Sequence, residues 1–598
     1  MKTFPWTALS LLLIAGIGLA VYLPAFEASF HLDDGPSIRD NASLRRLEAG
    51  PIFRFWPTRF VTYYSLALTF RAGQLDPFPY HLGNVFLHLV NSLAVYFLLR
   101  RLLGRDNRVP ELFGALFFLV HPVQTQAVSY VIQRATALAA GFYLFSILFY
   151  LKSRDDSGRI GWYAPALICA AGAIFSKEFA VTLPFALLLV EFTVFKDRPP
   201  KNGGRALRLA PFFLLVLAVP VLFLLHRDNL YYNDPAEISR GAYLLTQARV
   251  FITYLRLIVL PLNQQVEYDY PRVVSFFAPG AALGVFAWLA AAGAAVFCCR
   301  KEKLRTSGFG AAFFLLALLP ESSLFPIGDV MVEHRLYLPL FGAALLFAAL
   351  LASLKEFPRR RFLLAGALVL ALGRLAYVRN LTWESPVALW EDNVARAPSH
   401  PRIRGNLGKA YLDEGRYERA AEEFKKMIEL DPSAVGAYNN LAVIYIDHLK
   451  DYRLAEKYIE ASLALFPDYP AGYLNRGVIH LNNRRLKPAI REFEKALELD
   501  PENLLAHYNL GACYINLGDM HAREAASLRT SGREEEAREK EETARVEYAR
   551  AEEYLRQGLR LWPEDGRFHL LLARLYRSRG EEERGEKIYR EWGVGSGE

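Results

Sequence analysis

The stretch TALSLLLIAGIGLAVYLPAFEASFHLDD, residues 7–34, runs without a charge from Thr7 to Phe26 and then sets down two adjacent acids, Asp33 and Asp34. About 20 apolar residues are needed for a helix to cross a hydrocarbon layer about 30 Å thick, and this run has that length. With Lys2 before it, the run could pass for a signal peptide, but it lacks a small-residue cleavage site, so it reads as a retained first membrane helix. Further apolar stretches of roughly 17–22 residues follow one another to about residue 380. Beyond that point the sequence turns charged and amphipathic. This asymmetry predicts an all-α protein of two domains, a polytopic transmembrane domain over 1–380 and a soluble domain over 381–598.

At 598 residues and 53% hydrophobic content the chain is too long for one core. Its formal charge of +8 does not point to nucleic acid, because the basic residues lie in short clusters between apolar runs, where membrane topology accounts for them. Cys169, Cys298, Cys299 and Cys513 show neither metal-ligand spacing nor a disulfide framework.

Lys and Arg collect in cytoplasmic loops, so the clusters orient the chain. They are Arg100, Arg101, Arg105 and Arg108; Lys152, Arg154 and Arg159; Lys196, Arg198, Lys201, Arg205 and Arg208; Arg300, Lys301, Lys303 and Arg305; and Lys355 with Arg359, Arg360 and Arg361. With all five inside, the apolar runs pair as hairpins of about eleven spans, and the N-terminus is cytoplasmic. The run Val250 to Leu262 is short, carries Arg256 and ends near Pro261, so it reads as interfacial or re-entrant. The intervening loops, Glu27 to Tyr80, His121 to Arg134, Lys177 with Glu178, His226 to Gln247, Asn263 to Ser275 and Glu321 to Arg335, then face the exterior, as does everything after Val378. An inner (plasma) membrane protein with its soluble domain on the periplasmic or exterior side is the expectation.

In that domain Pro398, Pro432, Pro467 and Pro501 recur at intervals of 34, 35 and 34 residues, the tetratricopeptide period. Leu407, Gly408, Tyr411, Ala420 and Phe424 fall on the motif's positions, and Gly477, Ala489, Phe493 and Ala496 repeat them. About five repeats are expected, with Ala388 to Ala397 as a leading helix and a charged insert near 520–547 that forms an extended helical hairpin or a mobile arm. Asn406, Asn440, Asn475 and Asn509 share one position of successive first helices. Amides there can grip an acceptor peptide backbone, since each offers donor and acceptor; asparagine is also simply common at this position.

Asp33 and Asp34 sit at the membrane surface, where acids are costly to desolvate. Helix capping and loop solvation are the plain readings of such a pair. A transferase acting on a lipid-linked sugar, however, needs a base near that surface to accept the proton of the attacking hydroxyl. Its leaving phosphate needs cations or strong donors in a largely dry site. Arg335 with His334, Lys177, Arg134 and His121 lie at predicted span ends and are the candidates, with snorkelling to lipid headgroups as the alternative. Glu178 and Glu333 stand beside cations as their supporting partners.

These residues bring a resemblance into view. Asp33-Asp34 with Ile38 and Asn41, Arg59-Phe60-Val61-Thr62-Tyr63, Tyr80-His81-Leu82-Gly83-Asn84 with His88 and Asn91, and His121-Pro122 through Ala127-Val128 carry it. So do Ser176-Lys177-Glu178 with Leu183-Pro184, Tyr254-Leu255-Arg256 to Pro261, and Pro326-Ile327-Gly328 leading to Glu333-His334-Arg335-Leu336-Tyr337-Leu338-Pro339. Over both halves the chain resembles the transmembrane-and-tetratricopeptide O-mannosyltransferases of the GT-C class and their bacterial relatives. The resemblance implies an inverting hexosyltransferase that moves a sugar from a polyprenyl-phosphate donor to Ser or Thr of exported proteins, with no cofactor and no required metal. It implies Asp33 as base and Asp34 as its orienting partner, or the reverse. An oligosaccharide ligase of the O-antigen type and a membrane-anchored scaffold for an envelope complex remain as alternative readings.

Overall fold

The computed structural model describes residues 6–104, 108–155, 160–198, 204–226, 238–322 and 326–592. Lys2, Arg105, Arg159, Lys201, residues 227–237 of the loop from His226 to Gln247 and residues 323–325 of the loop from Glu321 lie outside them. The described residues are all helical or irregular, and they divide into two compact units, 1–398 and 399–598. The helix Pro386–Arg396, expected to lead the repeats, belongs to the first unit: Asn393 accepts from Val266 N–H and donates to the Glu267 carbonyl.

Six helices of the first unit are long and apolar enough to cross a membrane: Pro77–Leu103, Val131–Asp155, Gly204–Leu225, Arg240–Val259, Ala281–Arg300 and Pro358–Leu381. A seventh is broken, with Arg108–Val120 and Pro122–Ser129 meeting at 49°. Trp6–Val21, Gly161–Ile174 and Leu340–Ser353 are apolar but shorter. Among the described residues the six helices and the broken seventh are those that qualify by length and composition, against about eleven spans expected from the sequence; the 14 residues of Leu340–Ser353 rise only about 21 Å as a helix. The reading of Val250 to Leu262 as too short to span is corrected. The helix starts ten residues earlier, at Arg240, capped by Ser239, whose hydroxyl accepts from Ala242 N–H at 3.3 Å.

With no hydrophobic drive between helices in lipid, close approach of small residues supplies the packing. A Cβ on Gly342 would lie 2.4 Å from the Gly310 carbonyl oxygen, so Arg305–Leu318 and Leu340–Ser353 cross backbone against backbone.

The basic clusters converge on one end of this bundle. Arg101 pairs with Asp155. Arg154 and Arg205 both reach the fully buried Glu191, at 2.7 and 3.4 Å. Arg305 pairs with Asp197 at 2.9 Å, and Phe362, beside the fifth cluster, packs edge-on against Phe113 near the start of Arg108–Val120. Arg100 donates to Thr7 at the start of the first helix, so Asp33, beyond that helix's far terminus, belongs to the opposite end.

The second unit holds five helix pairs, Pro401–Asp413 with Tyr417–Leu430, Val435–His448 with Tyr452–Leu465, Pro470–Asn482 with Leu486–Leu499, Leu504–Thr530 with Glu534–Leu561, and Gly566–Ser578 with Glu582–Trp592. Glycines admit the facing aromatics as the repeat pattern requires: a Cβ on Gly477 would meet the Phe493 ring at 2.5 Å. The charged insert is an extended helical hairpin, formed by the 27- and 28-residue helices of the fourth pair.

Candidate functional site

The chain leaves the first helix through a short turn at Leu23–Glu27 and folds back sharply at residues 31–35. Leu32 takes φ 46°, the left-handed region that non-glycine residues enter at a cost of about 1–2 kcal/mol. Four hydrogen bonds hold this strained turn. The His31 ring donates through Nε2 to the Trp383 carbonyl at 2.7 Å, since a carbonyl can only accept. The Asp34 carboxyl accepts from His31 N–H at 2.9 Å and from Ile132 N–H at 2.8 Å. Asp33 N–H donates to the Tyr130 hydroxyl at 2.8 Å.

The two acids therefore divide the work. Asp34 is fully buried, and burial pushes its carboxyl up to about 7, against the pull of the two N–H donors and with a further push from Asp33. Asp33 is exposed and lines a cavity of about 260 Å³ together with Trp56, Arg59, Tyr63, Gln133 and Lys177. One acid braces the turn, and the other is presented by it.

Lys177 is buried across that cavity, donating to Thr136 at 2.8 Å and Gln133 at 3.2 Å. Burial lowers its ammonium to about 8; Glu321 opposes this and Arg59 reinforces it. Arg59 grips Glu178 through three bonds of 2.9–3.1 Å, and Thr58 adds a fourth at 2.8 Å. Burial alone would raise Glu178, but the Arg59 charge and these donors outweigh it and hold the carboxyl at about 2. Glu178 is thus the partner of Arg59 rather than of Lys177. Arg335 donates to the carbonyls of Val330 and Asp329, and lies 4.0 Å from Glu321, which is also 3.8 Å from Lys177. Arg59 is matched by Glu178, while Lys177 and Arg335 both lie within 4.0 Å of Glu321, and the charge of Asp329 also acts on Arg335. His334 is pushed well down by burial and then by the charges of Lys177, Arg335 and Arg59, so it stands among them as a neutral ring.

Two expected donor-binding residues are elsewhere. Arg134 is committed to Asn84, Ser65, Thr69 and the Tyr80 carbonyl at 2.7–3.2 Å, and so ties helices Phe60–Gly73 and Pro77–Leu103 to its own. His121 faces the Ile258 carbonyl with Nε2 and caps Val123 N–H with Nδ1. Both side chains are buried in structural roles. Glu333 anchors the 264–268 loop, accepting from Gln264 at 2.6 Å, from Gln265 N–H at 2.8 Å and from Tyr268.

Residues that spacing did not single out as site members are Tyr130, Trp56, Tyr63 and Glu321, with Arg59 in the cavity wall. Arg59 and Glu178 are 119 positions apart, a separation with no local signal.

Asn406, Asn440, Asn475 and Asn509 are half-buried on the first helices of four successive pairs. Asn475 donates to Asn439 at 2.7 Å, bonding one residue off the expected ladder.

The family model described as dolichyl-phosphate-mannose-protein mannosyltransferase matches residues 58–224, a stretch that holds Arg59, Arg134, Lys177 and Glu178 and starts after Asp33. Tetratricopeptide models match 408–447 with 485–518, and 439–493 with 535–593. Human "Protein O-mannosyl-transferase TMTC3" is 24% identical over 84% of this chain and 66% of its own length. The Drosophila melanogaster protein of that name is 25% identical over 83% and 65%, and human "Protein O-mannosyl-transferase TMTC4" 23% identical over 68% and 64%. The chain thus spans just under two thirds of these relatives.

Proposed function

Because this chain belongs with the transmembrane-and-tetratricopeptide protein O-mannosyltransferases, we propose that it is an integral-membrane glycosyltransferase that moves a sugar from a polyprenyl-phosphate carrier onto Ser or Thr of an exported protein. The observation that carries this reading is a single cavity lined by both Asp33 and Lys177, at the end of the bundle away from the basic clusters. By the positive-inside rule that end is the exterior one. The acceptor hydroxyl loses its proton to Asp33 as its oxygen attacks the anomeric carbon; the bond to the lipid phosphate breaks, and Lys177 and Arg335 face the charge that collects on the departing phosphate. Attack opposite the leaving group inverts the anomeric centre. Asp34 positions the base by holding its turn.

The test is direct. Purified full-length chain given a labelled polyprenyl-phosphate hexose and a Ser/Thr peptide should yield O-glycosylated peptide of inverted configuration. Retained configuration, or no transfer from any polyprenyl-phosphate hexose, overturns the reading.

Lys177 adds a pH dependence. Its ammonium is lost as pH rises through about 8, whereas an ordinary lysine holds its charge for two further units. The KM for the donor should therefore climb above about pH 8 in the wild type and show no such climb in Lys177→Met, whose KM is high throughout.

We further propose that the repeats hold the acceptor chain through the asparagine row. Replacing Asn406, Asn440, Asn475 and Asn509 together by Ala should weaken acceptor binding at least about tenfold, read by fluorescence anisotropy of a labelled acceptor, while transfer to a short peptide is kept. Unchanged acceptor affinity removes the asparagine role.

A further inference from the structure

A second cavity lies at the opposite, basic end of the bundle. It encloses about 650 Å³ between the C-terminal turns of Pro77–Leu103 and Val131–Asp155, more than twice the space at Asp33. Its walls are of two kinds. Phe97, Phe145, Leu148 and Phe149 form an apolar side, and Arg100, Arg101 and Lys152 form a cationic rim with Asp155 as the acid among them.

The charges do not cancel. Asp155 pairs with Arg101, whose buried Nε has no hydrogen-bond partner among the described residues. Arg100 donates to the neutral Thr7 hydroxyl at 2.8 Å, and the Lys152 ammonium lies over the Trp162 ring at 4.3 Å. Each of the two helix C-termini contributes roughly half a negative charge, and even so about one positive charge stays in excess among the described lining residues. An apolar groove continuous with a rim of one net positive charge, at the depth where basic side chains meet headgroups, has the chemistry of a monoanionic lipid.

We propose that this cavity binds one anionic glycerophospholipid from the leaflet at the basic end, its phosphate between Arg100 and Lys152 and an acyl chain along Phe97, Phe145 and Phe149. This site is separate from the one assigned to the sugar donor, and it stands whether or not that assignment does.

The experiment uses the full chain in nanodiscs of phosphatidylcholine containing a minor fraction of phosphatidylglycerol, with retained lipid counted by native mass spectrometry after release into detergent. The wild type should keep one phosphatidylglycerol per chain, at least about tenfold enriched over its share of the bilayer. Arg100→Gln with Lys152→Gln should lose that enrichment. Lys152→Gln alone, at an exposed position, should lose part of it and Lys152→Arg restore it, so the result does not hinge on folding of the double variant. Phe149→Ala should lower retention of long-chain lipid and spare a short-chain analogue of the same headgroup. Equal retention of the two lipids by the wild type, or enrichment unaltered in the glutamine variants, overturns the proposal and leaves the cations as helix-end and snorkelling charges only.

Discussion

Asp33→Asn should lower sugar transfer by at least about a hundredfold, and up to about ten-thousandfold, the range a positioned general base supplies. Asparagine keeps the shape of the side chain and the backbone N–H bond to Tyr130, and it removes the negative charge and with it the ability to take a proton. The donor KM and the melting temperature should therefore stay near the wild-type values while kcat collapses. Asp34→Asn differs in kind. Its amide accepts one of the two N–H groups held by the carboxyl and turns a donor against the other, so the strained turn at Leu32 loses a brace. Part of the rate should be lost together with some thermal stability. The pair of variants is read by initial rates and a thermal shift assay; a kcat for Asp33→Asn within about threefold of wild type rules out Asp33 as the base.

Arg134→Met should unfold the Asp33 end of the bundle instead of impairing chemistry alone. Its guanidinium supplies four hydrogen bonds to groups on two other helices, and truncation removes all four, leaving the buried Asn84 amide oxygen without its Arg134 donor. At about 1.5–3 kcal/mol for each hydrogen bond to a charged group, the loss of the four exceeds about 3 kcal/mol, enough to lower detergent-solubilised yield and melting temperature together. Lys177→Met, by contrast, should keep the fold and raise donor KM. Size-exclusion profiles and melting curves of the two variants side by side separate a clamp from a phosphate ligand, although both cations occupied like positions near span ends in the sequence.

That contrast explains what the sequence could disclose. The repeats were legible because prolines about 34 residues apart and a glycine opposite each aromatic are local facts, and the described residues form five helix pairs where the period places them. The presented acid was legible because it follows an apolar run directly. The fate of Arg134 was not, since its partners at Ser65, Thr69, Tyr80 and Asn84 lie 50 to 69 positions away. The helix from Arg240 was missed because Arg240, Arg249 and Arg256 dilute its apolar character; in the fold Arg249 lies over the Tyr270 ring and Arg256 reaches the Leu262 carbonyl. The Ser239 cap was the signal that could have found it.

The ion pairs that join Arg101 to Asp155, Arg154 and Arg205 to Glu191, and Arg305 to Asp197 also limit how the bundle can breathe. Those pairs hold neighbouring helices together at the basic end, as a spring holds the jaws of a clothes-peg. On the proposed function, a lipid tail and a polypeptide come in at the Asp33 side, at the far end of the bundle from these pairs.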